Sequence, residues 1–247
     1  MPSDLSTRPL NNKTAWITGA GRGIGLATAH ALGQAGAHVI LGARSMNQIE
    51  DAAEAIRSSG GTADAISLDV AERDSCEEFA ARAHEKAGHP SFLINNAGIG
   101  TFRPVQHFQE EEFEQQFRVN VFGTYYMTRI VVPLMQELGG GHIVNVSSLA
   151  GEHQAKMGTG YFATKHAVNG FTKCLMLDVR DMGIRVTLVC PGSVDTRFHV
   201  DSHPGSHQKD QSWMLSPKEV ADAIMHALTA PCETLVSKID IRPSKTS

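Results

Sequence analysis

"TAWITGAGRGIG", residues 14–25, decides the fold. "TAWIT" (14–18) has the short apolar character of a buried strand. It runs directly into glycines at 19, 21, 23 and 25. Beyond them Ile24, Ala27, Ala31 and Ala35 recur at spacings of three and four, which is helical periodicity. A strand that passes to a helix through a glycine turn is the opening unit of a doubly wound α/β sheet. The spacing here is G-x-x-x-G-x-G, through Gly19, Gly23 and Gly25, rather than G-x-G-x-x-G. The physical consequence is similar. Glycine admits positive φ and has no Cβ, so backbone N–H groups can approach a pyrophosphate at a helix N-terminus. A plain glycine-rich turn is the alternative. At the first strand–helix junction, Gly19, Gly21, Arg22, Gly23, Ile24 and Gly25 are read as a nucleotide cradle.

The alternation continues outward. Strands are expected at "HVILGA" (38–43), "ADAISLDV" (63–70), "SFLINNAG" (91–98), "HIVNVSS" (142–148), "IRVTLVCPG" (184–192) and "TLVSKIDI" (234–241). Helices are expected near 46–58, 72–87, 109–137, 158–181 and 216–228. The last opens with Ser216, Pro217 and Glu219, a helix-start signature. Short apolar strands separated by helices imply parallel pairing with right-handed crossovers. The expectation is one domain over residues 13–247: a Rossmann-type, doubly wound parallel sheet of seven strands with helices on both faces, preceded by a polar tail, 1–12. Residues 197–214 read as a mobile loop.

Composition narrows the function classes. The 247 residues are 41% hydrophobic and 19% charged, with net charge −4. That is ordinary globular composition with no basic excess for a phosphate backbone, so nucleic acid is not an expected partner. No apolar run approaches the ~20 residues that span a bilayer, so no membrane association is expected. Cys76, Cys174, Cys190 and Cys232 form no C-x-x-C pair. With a polar N-terminus, this fits a reducing, cytoplasmic setting. His199, His203 and His207 recur every four residues, but Pro204 and Gly205 interrupt any helix that would align them. A substrate lid is preferred there to a metal site, and no metal is expected.

The end of the second strand bears on cofactor choice. Where an acid would accept from a ribose 2′-hydroxyl, the sequence has Ala43 followed by Arg44. With Arg22 across the glycine turn, two guanidinium forks suit a 2′-phosphate, so NADP(H) is expected. Arg44 as a solvated helix-entry residue is the alternative.

Other polar groups gather at strand ends: Asp69, Asn96 and Gly98, Ser147 and Ser148, and "CPGSVDT" (190–196). Tyr161 and Lys165 stand one helical turn apart in "GYFATKHAVNG" (160–170). Taken with "TGAGRGIG", "LDV", "NNAG", "VN" (119–120), "VSS" (146–148), "YFATK" and "PGSVDT" (191–196), the chain resembles the short-chain dehydrogenase/reductase family over roughly residues 12–240. The spacing matches too: Tyr161 stands 13 residues after Ser148 and 41 after Asn120.

The resemblance implies that Tyr161 is the general acid toward a carbonyl oxygen. Lys165 would hold the nicotinamide ribose and lower the tyrosine pKa. Ser148 would hydrogen-bond the substrate oxygen, and Asn120 would hold a relay water. It also implies cofactor contacts from Asp69, Val70, Asn96, Ala97, Gly98, Pro191, Gly192, Val194 and Thr196. Read from the residues, a nearby ammonium favours phenolate, and Ser148 is a neutral donor where oxyanion charge develops. Ser147 remains a rival to Ser148, Asp69 could cap the next helix, and Asn96 could brace the sheet. "VSSLAG" is not the nucleophile elbow of a hydrolase.

Many family members have an aspartate and glycines after the last strand; this chain ends "SKIDIRPSKTS" instead, which turns the resemblance from acyl-carrier-protein reductases toward the branch that reduces assorted carbonyls or oxidises small hydroxy acids. The expected function is hydride transfer between NADP(H) and a ketone, aldehyde or secondary alcohol. The alternatives are an NAD-dependent alcohol or hydroxy acid dehydrogenase, and a dinucleotide-binding sensor without turnover. Val168, Phe171, Leu175 and Val179 form one stripe, and Ala163, Gly170 and Leu177 widen it. An arc this wide suggests a homodimer or homotetramer.

Overall fold

The structure, a computed structural model, describes residues 8–198 and 212–245. The strands are β1 (Thr14–Thr18), β2 (His38–Ala43), β3 (Thr62–Ser67), β4 (Phe92–Asn95), β5 (Gly141–Val146), β6 (Ile184–Pro191) and β7 (Lys238–Ile241). They form one sheet in the order β3-β2-β1-β4-β5-β6-β7, and every pairing is parallel. The order reverses direction between β1 and β4, so a crevice opens there at the carboxyl ends of the strands. Strands 3, 4 and 7 are shorter than the sequence pattern suggests. "LDV", "NAG" and "TLVS" are apolar or small enough to extend a strand, but they leave the ladder to line loops.

The main helices are α1 (Gly23–Gln34), α2 (Met46–Ser58), α3 (Arg73–Ala87), α4 (Glu110–Phe117), α5 (Gly123–Glu137), α6 (Thr159–Asp178) and α7 (Pro217–Thr229). The central strands are buried on both faces, which explains their continuous apolar runs. One core layer packs α1, α2 and α7 on one face around Ile17, Val39 and Leu41. The other packs α3, α5 and α6 around Trp16, Ile40 and Leu93. Trp16 meets Phe79 of α3 edge-on at 5.8 Å, a favoured aromatic geometry.

Two expectations need correction. The helical pattern over 109–137 is not one helix. A π-helical turn, Arg118–Phe122, separates α4 from α5 and carries Asn120. The pattern does not mark this change of winding, because Phe113, Phe117 and Val121 keep a spacing of four across it. The tail 1–12 is also not polar throughout. Leu10 is buried in the first core layer, and its N–H donates to the Ala35 carbonyl at 3.0 Å.

α7 has the capping box that its sequence promised, with Ser216 accepting from the Glu219 N–H and Glu219 reaching back. Most of the expected loop 197–214, with His199, His203 and His207, lies outside the described residues. No helix among the described residues is long and apolar enough to cross a membrane.

Candidate active site

A cavity of about 760 Å³ opens at the carboxyl edge of the sheet. Its floor is the glycine turn. Gly19 and Gly23 have φ of +66° and +59°, which only glycine adopts without strain. No side chain caps the N-terminus of α1, so its first N–H groups are available to a ligand at the dipole's positive end. Gly25 is different. It is buried and does not line the cavity, and a Cβ there would sit 2.4 Å from the Gly19 carbonyl oxygen. The missing side chain lets α1 pack against the Gly19 carbonyl and the Asn96 amide.

The rest of the wall brings the expected residues together. Gly21, Arg22, Ile24, Arg44, Asp69, Val70, Asn96, Ala97, Gly98, Pro191, Gly192, Val194 and Thr196 all line it. Thr196 comes from beyond β6, yet its Cγ2 lies 3.2 Å from where a Cβ of Gly23 would be. Ser193 to Asp195 is held in place by Leu215, which exchanges backbone hydrogen bonds with it. The charge of the wall is one-sided. Among the described residues it carries Arg22, Arg44, Lys165, Arg197, Arg242 and Lys245 against the single carboxylate of Asp69. In a chain of net charge −4, this local excess of cations suits a ligand rich in phosphate. The glycine cradle, the uncapped helix N-terminus and these cations together fit a nicotinamide dinucleotide.

Two side chains in this set are already engaged elsewhere. Asn96 donates through Nδ2 to the Thr18 and Gly19 carbonyls at 3.0 and 3.1 Å, bracing the glycine turn from behind. Asp69 accepts from the Ala71 N–H through Oδ1, and its own N–H donates to Ser75 Oγ. Both therefore hold their own loops in shape, as the alternative readings of the sequence allowed, while still bordering the cavity.

Tyr161, Lys165 and Ser148 meet at the other end. Tyr161 and Lys165 lie in the first two turns of α6 and are 8% and 5% exposed. Lys165 Nζ stands 5.7 Å from the centre of the Tyr161 ring and donates to the Val146 carbonyl at 3.1 Å. Ser148 has extended backbone at the end of β5, and its Oγ accepts from the Ala150 N–H. Ser147, the rival, is buried and donates to Asn169 Oδ1. The hydroxyl that faces Tyr161 is therefore that of Ser148.

Electrostatics differ from the expectation. Burial pushes the Tyr161 phenol up to about 12, and the hydrogen bond from Ser148 only partly opposes this. Burial likewise lowers the Lys165 ammonium to about 8. The expected lowering of the tyrosine by its lysine does not emerge: burial dominates both groups, and only the Ser148 hydrogen bond opposes it at the phenol.

Asn120 is the second departure. It is 2% exposed and does not line the cavity. Its Nδ2 donates to the Ile99 carbonyl and to Thr164 Oγ1, and its Oδ1 accepts from the Ile99 N–H. With these bonds the side chain ties the loop after β4 to α6. It has no donor left for a relay water. Thr164 and Asn169 also shape the site without having been singled out for it in the sequence, and Phe102 and Phe198 border the cavity from segments expected to line it. Asn169 lies one helical turn from Lys165, a spacing that could have revealed it; Phe102 sits in the loop after β4 and Phe198 in helical backbone beyond β6.

Comparisons with known proteins agree with this geometry. The short chain dehydrogenase family model matches residues 13–206. An uncharacterized oxidoreductase of Staphylococcus aureus (strain MW2) is 32% identical over 234 residues, covering 95% of this chain and 98% of the relative. A Staphylococcus saprophyticus counterpart is 32% identical over 235 residues, covering 95% of this chain and 98% of its own. Among solved structures, an alcohol dehydrogenase from the archaeon Thermococcus sibiricus, complexed with 5-hydroxy-NADP, superposes with a TM-score of 0.88 at 31% identity. It covers 95% of this chain and 98% of that one. A metagenomic short-chain oxidoreductase in complex with NADP gives 0.84 at 30% identity, covering 96% and 100%. The protein belongs to the short-chain dehydrogenase family and has that family's oxidoreductase fold.

Proposed function

We propose that this protein is an NADP(H)-dependent oxidoreductase acting on a ketone, aldehyde or secondary alcohol, with Tyr161 as its acid and base. The observation that carries the reading is the convergence of Tyr161, Ser148 and Lys165 at one end of a cavity whose other end is a cationic glycine cradle. The cofactor would supply hydride at that convergence. Gly19, Gly21, Gly23 and the first N–H groups of α1 would hold its pyrophosphate. Arg22 and Arg44 would take the 2′-phosphate, a site where Ala43 offers no carboxylate to repel it. The solved relatives with NADP compounds bound support this preference.

The Tyr161 hydroxyl gives its proton to the carbonyl oxygen during reduction and takes it back during oxidation. A phenol near 12 stays protonated at neutral pH, so the acid is always ready for reduction. Ser148 Oγ donates a hydrogen bond to the same oxygen as negative charge grows there. Lys165 holds positive charge beside the phenol, favouring phenolate whenever the proton has left. Asn120 acts as a positioning residue for the loop after β4.

The assembly is proposed as a homodimer or homotetramer through α5 and α6. Phe122 at the end of the π turn leading into α5, Tyr125 of α5 and Leu177 of α6 are 46%, 42% and 73% exposed, and a Cβ at Gly170 of α6 would meet nothing within 4 Å. Contiguous apolar exposure of this kind marks an interface. The decisive test of function is cofactor-monitored turnover on a carbonyl panel with NADPH and with NADH. Turnover with clear NADPH preference supports the reading. Cofactor binding with no turnover on any carbonyl or alcohol would favour a sensor, and equal efficiency with both cofactors would favour the NAD alternative.

A further inference from the structure

The substrate end of the cavity has an unusual wall. Phe102 and Phe198 both pack on the Tyr161 ring, at centroid distances of 5.3 and 5.4 Å and tilts of 49° and 48°. Phe162 approaches the same ring edge-on at 6.2 Å. All three phenylalanines line the cavity, and Phe102 and Phe198 are only partly buried. The rings converge over Gly100. A Cβ there would lie 2.7 Å from the Phe198 ζ carbon, 3.1 Å from Tyr161 and 3.2 Å from Phe102. The missing side chain at Gly100 therefore makes room for the cluster. Its φ is not in the left-handed region, so the glycine serves space rather than backbone conformation.

We propose that the substrate carries a flat aromatic ring close to its carbonyl, seated against Phe102 and Phe198 while Tyr161 and Ser148 hold the oxygen. The proposal rests on the hydride-transfer reading above and deepens it. Three facts support an aromatic group over a flexible alkyl chain. Phe102 comes from the loop after β4, Phe198 from helical backbone beyond β6 and Phe162 from α6, so rings from three separate segments border the same space. Aromatic groups gain most from tilted or edge-on neighbours at these separations. Ser148 and Tyr161 place the polar recognition at the carbonyl alone, which leaves the substituent to apolar and aromatic contact.

The test uses a matched pair, 1-phenylpropan-2-one and 1-cyclohexylpropan-2-one. Their carbonyls are equally unconjugated, and they differ in ring flatness. With NADPH, the expected kcat/KM favours the phenyl ketone by about tenfold. Phe102→Leu and Phe198→Leu keep apolar bulk but remove the ring face, and each should cut that ratio about threefold. Phe102→Tyr should preserve it. Gly100→Ala, which moves the rings without truncating them, should also lower the ratio. A second arm does not depend on turnover. Calorimetry of the Tyr161→Phe protein with NADP+ should show tighter binding of 1-phenylpropan-2-ol than of its cyclohexyl analogue. A ratio near one for the wild type, or one that neither leucine variant moves, overturns the proposal. Failure to reduce any ketone, together with the phenyl preference in calorimetry, would overturn the hydride-transfer reading and leave the aromatic subsite standing.

Discussion

Lys165→Met is the substitution whose outcome the structure constrains most tightly. The ammonium is 5% exposed, and burial holds its pKa down to about 8, from 10.5. A lysine whose pKa is lower folded than unfolded costs the fold stability. The cost is complete below the folded pKa, where both states are charged. It fades as pH rises from about 8 to 10.5, and vanishes once both states are neutral. At ~1.36 kcal/mol per unit, the lowered pKa corresponds to about 3 kcal/mol at neutral pH. Methionine fills similar volume without charge, but it strands the Val146 carbonyl, at a cost of ~1 kcal/mol. The net expectation is a variant about 2 kcal/mol more stable at pH 7, or roughly 4–8 °C higher in Tm for a chain of this size. Turnover should be lost, because the charge beside the phenol is gone. The assay is denaturant unfolding of both proteins across the neutral-to-alkaline range. The advantage should shrink as pH rises from about 8 and disappear near 10.5. A variant that melts at or below the wild type at pH 7, or an advantage independent of pH, would refute the argument that burial governs this lysine.

Tyr161→Phe should retain NADPH binding by fluorescence while turnover falls about 10²- to 10⁴-fold; near-wild-type turnover would remove Tyr161 from the mechanism. Because burial pushes the phenol up to about 12, oxidation, which needs the phenolate, should accelerate steadily from about pH 7 to pH 10 while reduction does not; a flat oxidation profile would contradict this. Arg44→Ala should lower the NADPH:NADH ratio of kcat/KM by tenfold or more, since charge-assisted bonds to a phosphate are worth about 1.5–3 kcal/mol. Gly25→Ala should destabilise the protein by more than about 2 kcal/mol, measured by denaturant unfolding, because its Cβ would meet the Gly19 carbonyl at 2.4 Å. Light scattering at micromolar concentration should give a dimer or tetramer; a monomer would leave the apolar faces of α5 and α6 unexplained.

How much of this was legible beforehand follows from the kind of signal each feature leaves. The doubly wound parallel sheet could be anticipated, because short apolar runs between helices leave few parallel arrangements. Tyr161, Lys165 and Ser148 were found because motif and spacing both mark them. The split at Arg118–Phe122 was invisible, since Phe113, Phe117 and Val121 keep a spacing of four through it and read as one helix. That Asn96 and Asn120 take structural partners was open as an alternative, but the sequence could not choose it. Whether an amide faces a ligand or a backbone carbonyl depends on residues that are 78 and 21 positions away.

From residue order alone come the doubly wound fold, the glycine turn and the identity of the residues at the strand ends, because each leaves a local pattern of period, spacing or missing side chain. Only the folded chain decides which of them face the cavity, and what burial does to their charges. It places Gly25 beneath the turn rather than in it and commits the Ser147 hydroxyl to Asn169. It also reverses the expected direction for Tyr161, because desolvation depends on everything packed around a group and not on its neighbours in sequence. The ring cluster over Gly100 belongs to the same class. Phe102 and Phe198 stand 96 residues apart in the chain, and tertiary packing brings them onto one tyrosine.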